Sequence, residues 1–134
     1  MIKYDIVYIK GNPLSGSKLQ HNLINNSIFE LIKEYSYNII ESDAKNLSGI
    51  TLPKAKIYIG FSRGSRYFKK LDNNSLKISI GGISASKVHL FKNKDDNILL
   101  GDISNSSMQA HFIITDDDKI KIKTLIDNHL NKLN

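Results

Sequence analysis

Gly60, Ser62 and Gly64 form the pattern Gly-x-Ser-x-Gly, the clearest chemical signal in the chain. A short alternating apolar run precedes them, and residues typical of a helix follow. A chain that turns directly from a strand into a helix strains the central residue, and glycines on either side relieve the crowding with neighbouring elements. The hydroxyl of Ser62 would then stand above the edge of a sheet, where it can attack a carbonyl carbon. The spacing therefore predicts a nucleophilic serine.

The residues after Ser62 indicate how the charge of such a reaction would be stabilised. The backbone amide of Arg63 lies at the expected helix N-terminus, where the helix dipole favours a developing negative oxygen. Arg63 and Arg66 are the only arginines in a chain with 19 lysines and arginines. Their position beside the candidate nucleophile favours an anionic or carrier-bound substrate, because their charge would concentrate it at the site.

Length and composition limit the class of protein. A chain of 134 residues predicts one domain, 1–134, with a single core and no lid. The absence of cysteine excludes disulfides, thiolate catalysis and thiolate metal sites. No apolar run is long enough to span a bilayer, so a cytoplasmic protein without membrane contact is expected.

The formal net charge of +6 carries little information about partners. Lysine, isoleucine and asparagine are all frequent, as in proteins encoded by AT-rich genomes. No basic run is interleaved with aromatic residues, and the sequence has no zinc-finger or helix-turn-helix spacing. Binding to nucleic acid is therefore not expected, and the oligomeric state stays open.

Hydrophobic periodicity predicts alternating strands and helices. Alternating β-branched runs predict strands at 4–9, 37–40, 56–59, 76–80, 88–91 and 98–100. Apolar residues at helical spacing predict helices at 17–35 and 116–133, with a short helix from the serine pattern to about residue 71. The apolar positions of the two long helices include Leu23 and Ile120.

Strands that alternate with helices predict an α/β fold, with a doubly wound, mostly parallel sheet of five to six strands and helices on both faces. In such a sheet the first crossover goes to one side and the next to the other, which gives the core order 2-1-3-4-5. Ligands bind at the carboxyl ends of strands 1 and 3, where the order reverses. The loop at 11–17 and the serine pattern are therefore expected to face each other.

A second group of residues follows the first predicted strand. Lys10 and Gly11 open the segment Lys-Gly-Asn-Pro-Leu-Ser-Gly-Ser, which resembles the oxyanion loop His-Gly-x-x-x-Ser of the α/β-hydrolase superfamily, with Lys10 in place of histidine. With the Gly-x-Ser-x-Gly elbow, this loop makes most of the chain similar to that family. The resemblance implies that the amide of Asn12 is the second oxyanion donor and that Gly11 and Arg66 line the substrate site.

The same resemblance implies a catalytic triad. Asp95 falls in a run that is similar to the family's Gly-x-x-Asp-x-x-Val turn, with Lys92 in place of glycine. His111 precedes the last predicted helix, where the family carries its base, and the order Ser62, Asp95, His111 is the family's order. Asp102 is a rival for the acid. These residues imply a serine hydrolase, a carboxylesterase or thioesterase, that needs no cofactor and no metal.

Other interpretations of the same residues stay open. Ser62 is also a suitable helix N-cap in a non-catalytic flavodoxin-like or Rossmann-like binding domain, and His111 is also compatible with a buried structural histidine. The segment from Gly11 to Lys18 resembles the phosphate loop Gly-x-x-x-x-Gly-Lys-Ser, but its last two residues, Ser17 and Lys18, are inverted. A domain of this kind would bind a phosphate or a nucleotide there.

Overall fold

The computed structural model describes residues 4–10, 18–41, 51–61, 67–68, 71, 75–80, 97–100 and 116–132. Within these ranges the chain forms five strands and two helices of more than one turn. In chain order they are β1 (Tyr4–Lys10), α1 (Lys18–Ile32), β2 (Tyr37–Glu41), β3 (Ala55–Phe61), β4 (Leu76–Ile80), β5 (Asn97–Leu100) and α2 (Asp116–Lys132).

The strands form one sheet in the order β2-β1-β3-β4-β5, and every neighbouring pair is parallel. The strands are rich in isoleucine, whose branched side chain packs well on a pleated surface. The α/β class and the parallel sheet predicted from the sequence are confirmed. The predicted strand at 88–91 lies outside the described residues, and β5 corresponds to the run expected at 98–100.

Both long helices pack on one face of the sheet, which we call the helix-covered face. It is apolar along β3 and β4, and α1 and α2 contribute isoleucines spaced four residues apart, which lie on one side of a helix. The buried residues of this face are Ile6, Tyr8, Ile24, Ile28, Ile32, Ile57, Ile59, Phe61, Leu76, Ile78, Ile80, Ile122 and Ile126. This cluster is the larger part of the described core.

Two apolar positions of the predicted helices do not face the sheet. Leu23 on α1 and Ile120 on α2 are exposed. The buried stripe of α1 runs through Ile24 and its i+4 neighbours, so Leu23 is turned about 100° away from it. Ile120 is displaced by about two residues from Ile122, which puts it on the far side of α2.

The other side of the sheet, the opposite face, has a different cover. Val7 and Ile9 of β1 and Tyr58 of β3 lie in a cluster with Tyr67 and Phe68, which form a short 3₁₀ turn. Helices were expected on both faces, but within the described part of the chain α1 and α2 both lie on the helix-covered face. Two buried aromatic rings therefore cover the opposite face at the position where a short helix was expected.

A polar cluster joins α2 to the turn after α1. The hydroxyl of Tyr35 donates a hydrogen bond to Asp127 Oδ1 at 2.5 Å. Lys123 forms an ion pair with Glu34, donates to the Tyr35 hydroxyl at 3.4 Å, and places its ammonium 5.3 Å from the centre of the Tyr35 ring. Burial, followed by the hydrogen bond and charge of Asp127, raises the pKa of Tyr35 above its usual range.

Candidate functional site

The carboxyl ends of all five strands meet at one edge of the sheet, which we call the carboxyl edge. The last residues of the strands are Lys10, Glu41, Phe61, Ile80 and Leu100. From β1 the chain continues to β2 on one side of β1, whereas β3 lies on its other side. A crevice forms outside such a reversal, and ligands of open α/β sheets bind there. The candidate site is therefore at the ends of β1 and β3.

The end of β3 carries the first glycine of the Gly-x-Ser-x-Gly pattern inside the sheet. Gly60 is buried and pairs with Ile9 on one side and with Ser79 on the other. Phe61 follows and pairs with Ile80, so β3 is longer than the predicted 56–59. Because side chains alternate along a strand, Gly60 belongs to the opposite face, on which the buried ring of Tyr67 packs. Ser62 is the next residue in sequence after this strand.

The ends of β1 and β2 are joined by an ion pair. Lys10 and Glu41 are register partners, and Lys10 Nζ lies 3.2 Å from Glu41 Oε1. The Lys10 side chain is 31% exposed and that of Glu41 is 76% exposed. The lysine that stands where the α/β-hydrolase resemblance has histidine therefore ends the central strand β1, with its charge beside the reversal of strand order.

The residues expected to perform the chemistry lie outside the described residues. They are Gly11, Asn12, Ser62, Arg63, Arg66, Asp95, Asp102 and His111. The structure describes the elements next to these residues in sequence. β1 ends at Lys10 and β3 at Gly60 and Phe61, and α2 begins at Asp116, five positions after His111. The triad, and the choice between the two aspartates, stay predictions.

Polar residues in β4 and directly before it are buried, although the sequence pattern did not mark them as site candidates. Lys77 is only 2% exposed, and Ser75 and Ser79 are also buried. Lys77 Nζ donates a hydrogen bond to the backbone oxygen of Ser75 at 3.0 Å. The alternation of Leu-Lys-Ile-Ser-Ile assigns Lys77 and Ser79 to one side of the strand, but it does not indicate whether that side is buried. A buried ammonium group needs hydrogen-bond partners because it has lost its water.

Tyr58, on the neighbouring strand β3, is also anchored on the opposite face. Its hydroxyl donates to the backbone oxygen of Pro53 at 2.8 Å and accepts a hydrogen bond from the amide of Ala55 at 3.0 Å. The side chain therefore fixes the segment that enters β3. Its register partner on β4 is Lys77, so a phenol and an ammonium stand side by side on this face.

Among the described residues, no group of three or more histidine, aspartate or glutamate side chains is arranged to hold a metal ion. None of the helices in these ranges is long and apolar enough to cross a membrane. Comparison with known proteins gives no match, whether to a protein-family model, to a curated protein or to a solved structure. The fold and the edge residues define the class as an α/β protein with a parallel sheet.

Proposed function

We propose that the protein is a serine hydrolase of the α/β-hydrolase type, a carboxylesterase or thioesterase, whose site lies at the carboxyl edge between β1 and β3. The observation that carries the proposal is the course of β3, which stays buried and paired through Gly60 and Phe61. Ser62 follows Phe61 in sequence, so in this proposal it is the first residue beyond a central parallel strand. This is the position that a nucleophile elbow requires.

In the proposed reaction the Ser62 hydroxyl attacks the acyl carbonyl carbon. His111 accepts the hydroxyl proton and returns it to the leaving alcohol or thiol, so that an acyl-serine forms. Asp95 orients the imidazole of His111. The amides of Arg63 and Asn12 donate hydrogen bonds to the oxyanion of the tetrahedral intermediate. His111 then takes a proton from a water molecule, whose oxygen attacks the acyl carbon. The bond between the acyl carbon and Ser62 Oγ breaks, His111 returns the proton to Ser62 Oγ, and the acid leaves.

The proposed fold is the doubly wound sheet with α1 and α2 on the helix-covered face and further cover on the opposite face. The substrate would be a small or carrier-bound acyl ester. Arg66 and Gly11 would line its binding site, and the positive charge after Ser62 would attract an anionic substrate.

Covalent labelling tests the nucleophile directly. A fluorophosphonate probe should add once, at Ser62, and the protein should hydrolyse short p-nitrophenyl esters. Ser62→Ala should abolish both. Ser79→Ala is the matched control, because Ser79 pairs with Gly60 on the neighbouring strand and is buried. An adduct on another serine, or no adduct on a folded protein, would rule out the proposed nucleophile.

A binding function without catalysis is the second candidate. It is favoured by the connection between β1, which ends at Lys10, and α1, which begins at Lys18. A segment that leads from the carboxyl edge into a helix N-terminus can hold phosphate oxygens with its backbone amides. This candidate predicts that a nucleoside triphosphate binds and that the fluorophosphonate probe labels no serine.

A further inference from the structure

Two strand lysines of the described residues form ion pairs with an acid on the neighbouring strand. Lys10 of β1 pairs with Glu41 of β2 at 3.2 Å, and Lys56 of β3 pairs with Asp5 of β1 at 3.4 Å. The lysines are almost equally exposed, at 31% and 29%. They differ in position, because Lys10 ends its strand at the carboxyl edge and Lys56 is the second residue of β3, at the other end of the sheet.

Stability does not explain the pair at the carboxyl edge. Ion pairs between exposed side chains add little to folding, because water screens the charges and the side chains lose freedom. Glu41 is 76% exposed, so it can leave Lys10 and return to water with little loss of hydration. The Lys10–Glu41 pair is therefore easily opened by a competing anion.

Lys10 lies at the place in a parallel sheet where ligands bind. Ile9 pairs with Gly60, so Lys10, one residue further, lies beside Phe61 at the end of β3. This is the reversal of strand order, where open α/β sheets bind their ligands, and Ser62 follows Phe61 in sequence. An ammonium group has three donor hydrogens, and Glu41 Oε1 accepts one of them. The others can bind the oxygens of a ligand headgroup.

We propose that Lys10 binds a carboxylate or phosphate headgroup of the substrate, and that Glu41 competes with the headgroup for the Lys10 ammonium. The inference rests on the proposed function for the reacting group, and it narrows the substrate class to acyl esters or thioesters that carry an oxyanion. Glu41 keeps the ammonium oriented when no substrate is bound. Its exchange for the substrate headgroup makes binding selective for anions.

Anion binding can be measured without turnover. Inorganic phosphate and succinate are titrated into the full chain while the amide resonances of Lys10, Glu41 and Phe61 are followed by NMR. Lys10→Gln should weaken binding about tenfold or more, the loss expected for a hydrogen bond to a charged group. Glu41→Gln should strengthen it severalfold, because the competing carboxylate is gone. The tighter of the two probes identifies the headgroup.

Lys56→Gln is the matched control, since it removes the same charge from a similar ion pair at the other end of the sheet. It should leave binding of both probes unchanged. The inference is overturned if neither probe binds, if Lys10→Gln binds as well as wild type, or if Lys56→Gln weakens binding as much as Lys10→Gln. The last result would mean that net charge, and no defined site, attracts the anion.

Kinetics separate this inference from the proposed function. A p-nitrophenyl ester with a terminal carboxylate is compared with a neutral ester of equal length. Lys10→Gln should raise the ratio of the two KM values about tenfold. If neither ester is hydrolysed while anion binding still depends on Lys10, the proposed function fails and the anion site stands. If both esters are hydrolysed and the ratio does not change, the anion site fails and the hydrolase stands.

Discussion

The two faces of the sheet differ in the residues that cover them and in the polarity of their buried side chains. The helix-covered face is apolar along β3 and β4, and isoleucines of α1 and α2 complete it. The opposite face of the same strands includes the buried Lys77 and Ser79, and Tyr58 with its bonded hydroxyl. Two buried rings of a short turn cover part of it. The first face supplies the apolar burial that holds the fold. The second accommodates polar groups, of which Ser79 pairs with Gly60 near the strand end proposed to carry the nucleophile.

The difference predicts that loss of turnover and loss of stability can be separated. Asp95 and Asp102 lie outside the described residues, and Asp95→Asn and Asp102→Asn keep the size of the side chain, so both variants should leave the melting temperature unchanged. The variant that removes the triad acid should lower kcat by about 10⁴, because the imidazole of His111 loses its orientation. The measurement is kcat at saturating ester with thermal melting in parallel. Equal and small losses in both variants would leave the site without a triad acid.

Neighbouring residues of β4 compare the faces directly. Ile78 faces the helices and Ser79 the opposite side, and both are fully buried. Ile78→Ala should lower the free energy of unfolding by about 2–5 kcal/mol, because apolar contacts are lost and a cavity is left. Ser79→Ala should lower it by about 1 kcal/mol, the usual value for one hydrogen bond. Urea titration measures both, and equal losses would contradict the division of roles.

Alkaline pH should weaken the helix-covered face. Burial raises the pKa of Tyr8, whose hydroxyl bonds to Asn25 of α1, and the pKa of Tyr35 is also raised. A raised pKa means that the folded state holds the proton more tightly than the unfolded state. The stability from these phenols is complete below the ordinary tyrosine pKa of 10.0 and is lost as the pH rises above it.

Melting temperatures between about pH 9 and about pH 12 test this expectation. Tyr35→Phe should show a shallower decline than wild type above pH 10.0, and a small loss at neutral pH from the missing bond to Asp127. Tyr8→Phe should behave in the same way. A decline as steep as that of wild type in both variants would place the alkaline sensitivity elsewhere in the molecule.

A small effect on stability is expected for Lys77, the buried lysine of the opposite face. Lys77→Met keeps the length of the apolar stem and removes the ammonium that bonds to the Ser75 oxygen. The free energy of unfolding should fall by about 1 kcal/mol, because this hydrogen bond is lost. Ile78→Lys is the reciprocal variant, and it should prevent folding because the register partners of residue 78, Ile59 and Ile98, offer an ammonium group no hydrogen bond. Urea titration compares the two, and a cooperatively folded Ile78→Lys would show that the faces are interchangeable.

Much of the architecture could be predicted from local pattern. The helix expected at 116–133 is α2, Asp116–Lys132, and its three leading aspartates suit the positive end of the helix dipole. The helix expected at 17–35 ends earlier, at Ile32. The amide of Tyr35 donates to the oxygen of Ile32 at 3.0 Å, which closes the helix and turns the chain into β2. Helical periodicity does not register such a turn, because Lys33, Glu34 and Tyr35 are as compatible with the last turn of a helix as with a loop.

The candidate site could be predicted only as a set of residue types. Gly60 was expected directly after a strand at 56–59, and it lies within β3 next to the reversal of strand order. The role of Lys10 could not be predicted, since nothing in the sequence pairs it with Glu41. The buried state of Lys77 was equally hidden, because a lysine in an alternating strand is compatible with an exposed face.

The sequence by itself determined the α/β class and the approximate positions of the five described strands and of α1 and α2, because alternation and helical spacing are local properties. Only the tertiary structure decided which distant residues meet. Lys10 and Glu41 are 31 positions apart, and Tyr35 and Asp127 are 92 positions apart. Such pairs form when the parallel sheet sets the register of its strands and the helices settle on one face. Their partners depend on the whole chain closing its loops, which no short window of sequence specifies.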